Sequence, residues 1–254
     1  MAQDSKPMNV TEASGSIAGW LHGALLGLFL AASGLAWAKL VVHNPALVES
    51  NWPEILLLIT AVAATLRSVS RTLPFQNVTW GAMIIGVIGG MAHTVGSLTL
   101  IPFGPYVFTA AAGPRILGVL PWIIPPVWIV FIYASRGVAR LILQRWRWTR
   151  FYGFWLIGLT ALLSMALDFS FDPLASGMKH LWIWELTRFP YAWRGTPLTN
   201  FAGWLATSAV AAAFVTPMLI NKKPDGKTPK ELGTLLIWAT LLALFLAATL
   251  THGS

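Results

Sequence analysis

Seven apolar runs, each long enough to cross a bilayer as a helix, take up most of this 254-residue chain and leave it few alternatives. They lie near 17–39, 53–70, 78–101, 117–138, 151–171, 201–220 and 232–250, and a spanning helix needs about 20 predominantly apolar residues. Within hydrocarbon every backbone N–H and C=O must be paired inside the chain, which admits only helices and closed barrels. No strand-like alternation, low-complexity stretch or internal repeat stands out, so the expected fold class is all-α. Charged residues make up 10% of the chain and hydrophobic ones 56%, whereas a water-soluble domain carries about 25% charge. The expectation is one integral-membrane domain over 1–254, a polytopic bundle of about seven transmembrane helices behind a polar tail, 1–16. The second run is apolar only from Pro53 to Leu66 before Arg67 interrupts it, so a six-span or partly re-entrant arrangement stays open. The first run, Ile17 to Lys39, is too long for a signal-peptide core and lacks a basic region before it; it reads as a retained helix.

Lys and Arg collect in alternate loops. The loop after the second run carries Arg67 and Arg71. The one after the fourth carries Arg136, Arg140, Arg145, Arg147 and Arg150, and the one after the sixth Lys222, Lys223, Lys227 and Lys230. With seven spans these loops share a side with the N-terminus, and their charge marks that side as cytoplasmic. The net charge of +8 therefore reflects membrane topology, and no nucleic-acid partner is expected. The predicted location is the cytoplasmic membrane of a bacterium. Trp146-Arg147-Trp148 fits an interfacial belt, with aromatic rings at headgroup depth and Arg reaching anionic lipid.

Against this apolar background, Asp168 and Asp172 close the fifth run in Leu167-Asp168-Phe169-Ser170-Phe171-Asp172-Pro173. A carboxylate taken out of water costs several kcal/mol, so a membrane chain keeps one where it is paired, wet or used. Two carboxylates four residues apart share a helical face, with Cβ atoms about 5–6 Å apart, and such a pair can share a proton. The plainer alternative is a solvated helix end broken by Pro173. Near the same face lie His93, Arg115, Lys179, His180, Glu185, Arg188 and Arg194. His93, two-thirds along the third run, suits either a helix-packing imidazole or a site residue. His180 and Glu185 are loop residues more in keeping with water than with catalysis, and Arg115 suits topology or an Asp partner.

Two loops on this side are unlike the other connections. Pro102-Phe103-Gly104-Pro105-Tyr106 and the stretch Asp172 to Trp204 are dense in Pro, Gly, Trp and Asn. Pro and Gly fix turns that a floppy connection would not need, and long loops in compact proteins are often functional.

Several chemistries are struck out. The absence of cysteine removes disulfides, thiolate catalysis and Cys-ligated metals. Five scattered His, at 22, 43, 93, 180 and 252, cannot build a histidine-rich di-iron site. No GxGxxG turn follows a strand, and no GxSxG elbow is present. Asp168-x-x-x-Asp172 resembles one of the two Asp-rich motifs of membrane prenyltransferases; no second motif exists, and that reading is kept only as a minor one because Arg and Lys near the site could bind an anion without metal. A small transporter needs a continuous polar path, hinted at only near His93 and Asp168. What remains is acid–base chemistry without cofactor or metal on an apolar substrate, or binding without chemistry.

The residues then resemble a family. Pro102-Phe103-Gly104-Pro105-Tyr106-Val107-Phe108-Thr109, followed by Gly113-Pro114-Arg115-Ile116-Leu117-Gly118-Val119-Leu120-Pro121, looks like the signature of the integral-membrane carotenoid biosynthesis proteins. These include carotenoid 1,2-hydratases of the gamma-carotene and bisanhydrobacterioruberin type. Asp168-x-x-x-Asp172-Pro173, Trp182-x-Trp184-Glu185 and Gly195-Thr196-Pro197-Leu198-Thr199-Asn200-Phe201-Ala202-Gly203-Trp204 continue the match in order. One departure is His93, which stands where the family pattern has an acidic residue shortly before the PFG run. Another is Tyr191-Ala192-Trp193-Arg194, which replaces a more usual tyrosine-led version.

The resemblance implies hydration of the terminal 1,2 double bond of a carotenoid, with no cofactor. Asp168, Asp172 and His93 would be the catalytic group. Phe103, Tyr106, Trp182, Trp184, Glu185, Asn200 and Trp204 would surround a carotenoid or other apolar isoprenoid. The competing expectation is a carotenoid- or lipid-binding subunit of a larger membrane complex, with small residues such as Gly86, Gly89 and Gly90 holding pigment between helices.

Overall fold

The structure, a computed structural model, describes residues 10–41, 50–185, 191–219 and 232–252. The Lys222–Lys230 cluster, Arg188, His43 and most of the polar N-terminal tail lie outside the described residues. Among the described residues, seven helices are long and apolar enough to cross a membrane: α1 Val10–Val41, α2 Trp52–Val69, α3 Phe75–Thr99, α4 Ile124–Ile142, α5 Tyr152–Asp172, α6 Leu198–Val215 and α7 Leu232–His252. The second run, the weakest in sequence, is a full helix, with Pro53 in its first turn, where the missing N–H costs no intrahelical bond.

The burial pattern is that of a protein solvated by lipid. Leu28, Met91 and Phe214 are more than half exposed on helix flanks, while Thr65, Ser135, Thr160, Ser164 and Ser208 are sealed inside. Only a solvent as apolar as the core allows that distribution, and the chain is an integral membrane protein. Small residues bring the helices together. On α3, a Cβ added to Gly89 would sit 2.2 Å from the indole of Trp128 on α4, so that ring packs directly on the α3 backbone.

The two ends of the bundle differ. One holds Arg67, whose Nη2 donates to the Ala18 carbonyl (2.6 Å), and the exposed Arg145–Arg150 segment, where the Arg147 guanidinium lies 4.8 Å over the Trp148 ring. The other gathers both long loops. Strand β1, Tyr106–Phe108, pairs antiparallel with β4, Trp182–Trp184, in the register Tyr106↔Trp184 and Phe108↔Trp182. Two further ladders of two residues each form hairpins: β2 Arg115–Ile116 with β3 Leu120–Pro121, and β5 Ala192–Trp193 with β6 Thr196–Pro197.

Two features differ from the sequence expectation. The fourth span does not begin at 117: residues 117–123 complete the β2–β3 hairpin and its exit, and the helix starts at Ile124, where Pro125 and Pro126 occupy the first turn. An apolar run of this kind has no helical periodicity of its own, and the positive φ of Leu117 and Gly118 makes a tight turn. The fifth span does not break at Pro173. It widens into a π-helical turn, Pro173–Met178, in which Lys179 N–H donates to the Leu174 carbonyl five residues back, the spacing of such a turn.

Candidate functional site

Asp168 and Asp172 project from the last turns of α5 into the protein, 0% and 1% exposed; the solvated helix end is not what forms. Their environments are unequal. Asp172 Oδ1 accepts from Trp184 Nε1 (2.9 Å), Thr196 Oγ1 (2.9 Å), Ser176 Oγ (3.3 Å) and Trp182 Nε1 (3.4 Å). Asn200, one turn into α6, donates through Nδ2 to Oδ2 of both aspartates, at 2.8 Å to Asp168 and 3.0 Å to Asp172. Asp168 Oδ1 is buried with no partner among the described residues.

Each donor is delivered by a local device. The β1–β4 ladder fixes Trp182 and Trp184, extended by Glu185 N–H to the Pro105 carbonyl and Thr109 N–H to the Leu181 carbonyl, both 3.0 Å. Thr196 arrives through the β5–β6 hairpin, whose two turn residues, Arg194 and Gly195, both have positive φ, the geometry that matches strand twist. Ser176 comes from the π-helical turn.

His93 is buried on α3, 6% exposed, and stacks on Phe103 with centroids 4.3 Å apart. Tyr106 donates its hydroxyl proton to the His93 carbonyl (3.0 Å), and the same oxygen lies 3.1 Å from His93 Nδ1. A hydroxyl has one proton, so both contacts are satisfied together when Nδ1–H donates in the second, the tautomer that leaves the lone pair on Nε2. Nε2 is buried without a partner among the described residues. Burial, then the negative field of Asp172, pushes the Tyr106 hydroxyl well above its ordinary range, so it stays a donor. Trp204 stands 6.1 Å from His93, stacks on Trp128 at 3.9 Å and follows Asn200 by one helical turn. Tyr106 packs 5.2 Å from Trp184. His93 reaches the aspartates through these aromatic groups, without a direct hydrogen bond to either.

The remaining sequence candidates divide. Phe103 is fully buried, and its carbonyl accepts from Thr199 Oγ1 at 3.1 Å, tying the PFG turn to α6. Glu185 and His180 are exposed and lie outside the buried cluster. Arg115 Nη2 donates to the Phe108 carbonyl at 2.7 Å, locking the loop and leaving the aspartates to neutral donors. Sequence reasoning missed Thr196 and Ser176 as carboxylate donors and Trp128 as the partner of Trp204. Thr196 stood inside the GTPLTN run, while an isolated Ser or Trp carries no spacing signal.

A family model described as carotenoid biosynthesis protein matches residues 51–253, which takes in every residue of this cluster. No curated protein and no solved structure matches the chain.

Proposed function

The chain belongs to the carotenoid biosynthesis protein family, and on that premise we propose that it hydrates a terminal 1,2 double bond of a carotenoid by acid catalysis at the Asp168–Asp172 pair. The asymmetry of the pair carries the reading. Asp172 Oδ1 is surrounded by donors, which suits an acceptor-only carboxylate. Asp168 accepts from Asn200 alone and keeps a buried, unpartnered oxygen, the natural place for a transferable proton. An unpaired buried polar atom in an otherwise satisfied network calls for a role.

In this mechanism Asp168 transfers its proton to the terminal alkene, forming a C–H bond as the π bond breaks and leaving a tertiary carbocation. Water adds through oxygen. Its surplus proton passes to the Asp168 carboxylate, which restores the acid and releases a tertiary alcohol. Indole and phenol faces of Trp182, Trp184 and Tyr106 can stabilise the cation by about 1–2 kcal/mol when desolvated, roughly tenfold in rate. Most of the acceleration must then come from the positioned acid. The bare Nε2 of His93 is suited to orienting the water.

The test is pigment extraction from cells that supply a carotenoid with an unmodified end. The wild-type protein is expected to yield the tertiary alcohol, and Asp168→Asn none, at equal insertion. If the Asn variant converts pigment at the wild-type rate, the acid lies elsewhere. A wild-type protein that binds carotenoid and never adds water is instead a pigment-binding subunit, the reading favoured by His93 standing where the resemblance expects an acid.

A further inference from the structure

A cavity of about 270 Å³ opens at the loop end of the bundle, and neither aspartate nor His93 lines it. Its walls are apolar and come from five helices, among them Leu57, Ala61, Phe131, Phe171, Leu244 and Phe245. Phe131 and Phe171 form the partition towards the aspartates: their rings also stand 5.4 Å from Trp204 and 6.1 Å from Trp182. The exposed lining residues, Asn51, Ile55, Ala111 and Pro114, mark the mouth, and the half-buried Glu54 and Lys179 also line the cavity.

The mouth is charged and unbalanced. Lys39 Nζ donates to both Glu54 oxygens, at 2.8 and 3.0 Å, and to the Ser50 carbonyl, which spends its three N–H groups. Lys179 Nζ also donates to Glu54 Oε1. Two ammonium groups thus share one carboxylate, and among the described residues the cluster carries a net positive charge. Lys179 retains two N–H donors at the rim.

We propose that this cavity is a second ligand site, for a single-chain amphiphile with a carboxylate or phosphate head. The head lies on Lys179 and the chain among Leu57, Phe131 and Phe245. Apolar walls favour a hydrocarbon chain, and charge-assisted hydrogen bonds at the rim select an anion over a neutral ester. The volume falls just below the ~300–1,000 Å³ of small-molecule pockets, which suits a single chain.

The experiment uses the purified full chain in amphipol, with protein-free amphipol subtracted, and radiolabelled dodecanoate, dodecyl phosphate and methyl dodecanoate as probes. At least one anion is expected to bind about tenfold or more tighter than the ester, and the tighter of the two identifies the head. Lys179→Met should bring the anions down to the ester's affinity and leave the ester unchanged. Ala111→Trp, at an exposed rim position, should weaken all three. An ester that binds as well as the anions, or a Lys179→Met protein with unchanged anion affinity, overturns the proposal, as does full binding by Ala111→Trp. Hydration is not measured, so failure here leaves the Asp168 reading standing.

Discussion

Two aspartates one turn apart on the same helix make opposite demands on an asparagine replacement. At Asp168, the new side-chain oxygen can accept from Asn200 while its NH₂ takes the place of the unpartnered Oδ1. At Asp172 every orientation strands a donor. An NH₂ at Oδ1 can donate to the Thr196 or Ser176 hydroxyl but leaves the indole N–H groups of Trp184 and Trp182, which only donate, without an acceptor, and an NH₂ at Oδ2 faces the donating Asn200 amide. Asp168→Asn is therefore expected to melt close to wild type and to lose activity. Asp172→Asn should lose stability, at about 1–3 kcal/mol for a stranded buried donor, whatever it does to the chemistry. Thermal unfolding of the two variants in the same detergent checks this, and equal melting temperatures would contradict the split. Tyr106→Phe probes the other arm. It removes the acceptor for His93 Nδ1–H and frees the imidazole to change tautomer, so it should reduce turnover with little change in carotenoid binding, read as a fall in kcat at similar KM.

The elements that hold these residues were unequally legible. Seven spans could be read because lipid demands long apolar helices, and Asp168 with Asp172 because charge is rare in such runs. The β1–β4 ladder could not, since three residues are too few for a strand period to show. Nor could the π-helical turn: Pro173 signals a stop, and only packing shows that the chain continues past it. The cavity is assembled from five helices and leaves no local mark. Close helix approach is encoded more plainly, through small residues. Gly89→Val would drive a side chain into the Trp128 ring, already 2.2 Å from an added Cβ, whereas Gly158 has open space around it. Overpacking of a tight contact costs about 1–3 kcal/mol. Gly89→Val should lower the melting temperature clearly and disturb the Trp128–Trp204 stack beside His93. Gly158→Val, facing outward on α5, should not. Matching melts for the two would show that α3 and α4 pack differently.

At the scale of the whole molecule, the chain divides its labour between its ends. The paired loops, the aspartates and the cavity mouth share one end, and the Arg67 and Arg145–Arg150 segments share the other. Positive charge is retained on the cytoplasmic side of a membrane protein, so the expected orientation puts the basic end inside and the loop end outside. A substrate or amphiphile would then enter from the outer leaflet, beside loops rich in Trp and Pro. The chain has no cysteine, which makes single replacements clean reporters. Gly177→Cys, at the exposed edge of the π-helical turn, and Thr149→Cys, exposed between α4 and α5, lie at opposite ends. A membrane-impermeant maleimide added to intact cells should label Gly177→Cys at once and Thr149→Cys only after permeabilisation. The reverse pattern would invert the orientation and move substrate entry to the cytoplasmic leaflet. Equal labelling of both in intact cells would mean that the two segments do not face opposite sides, which no odd number of spans arranged in this way permits.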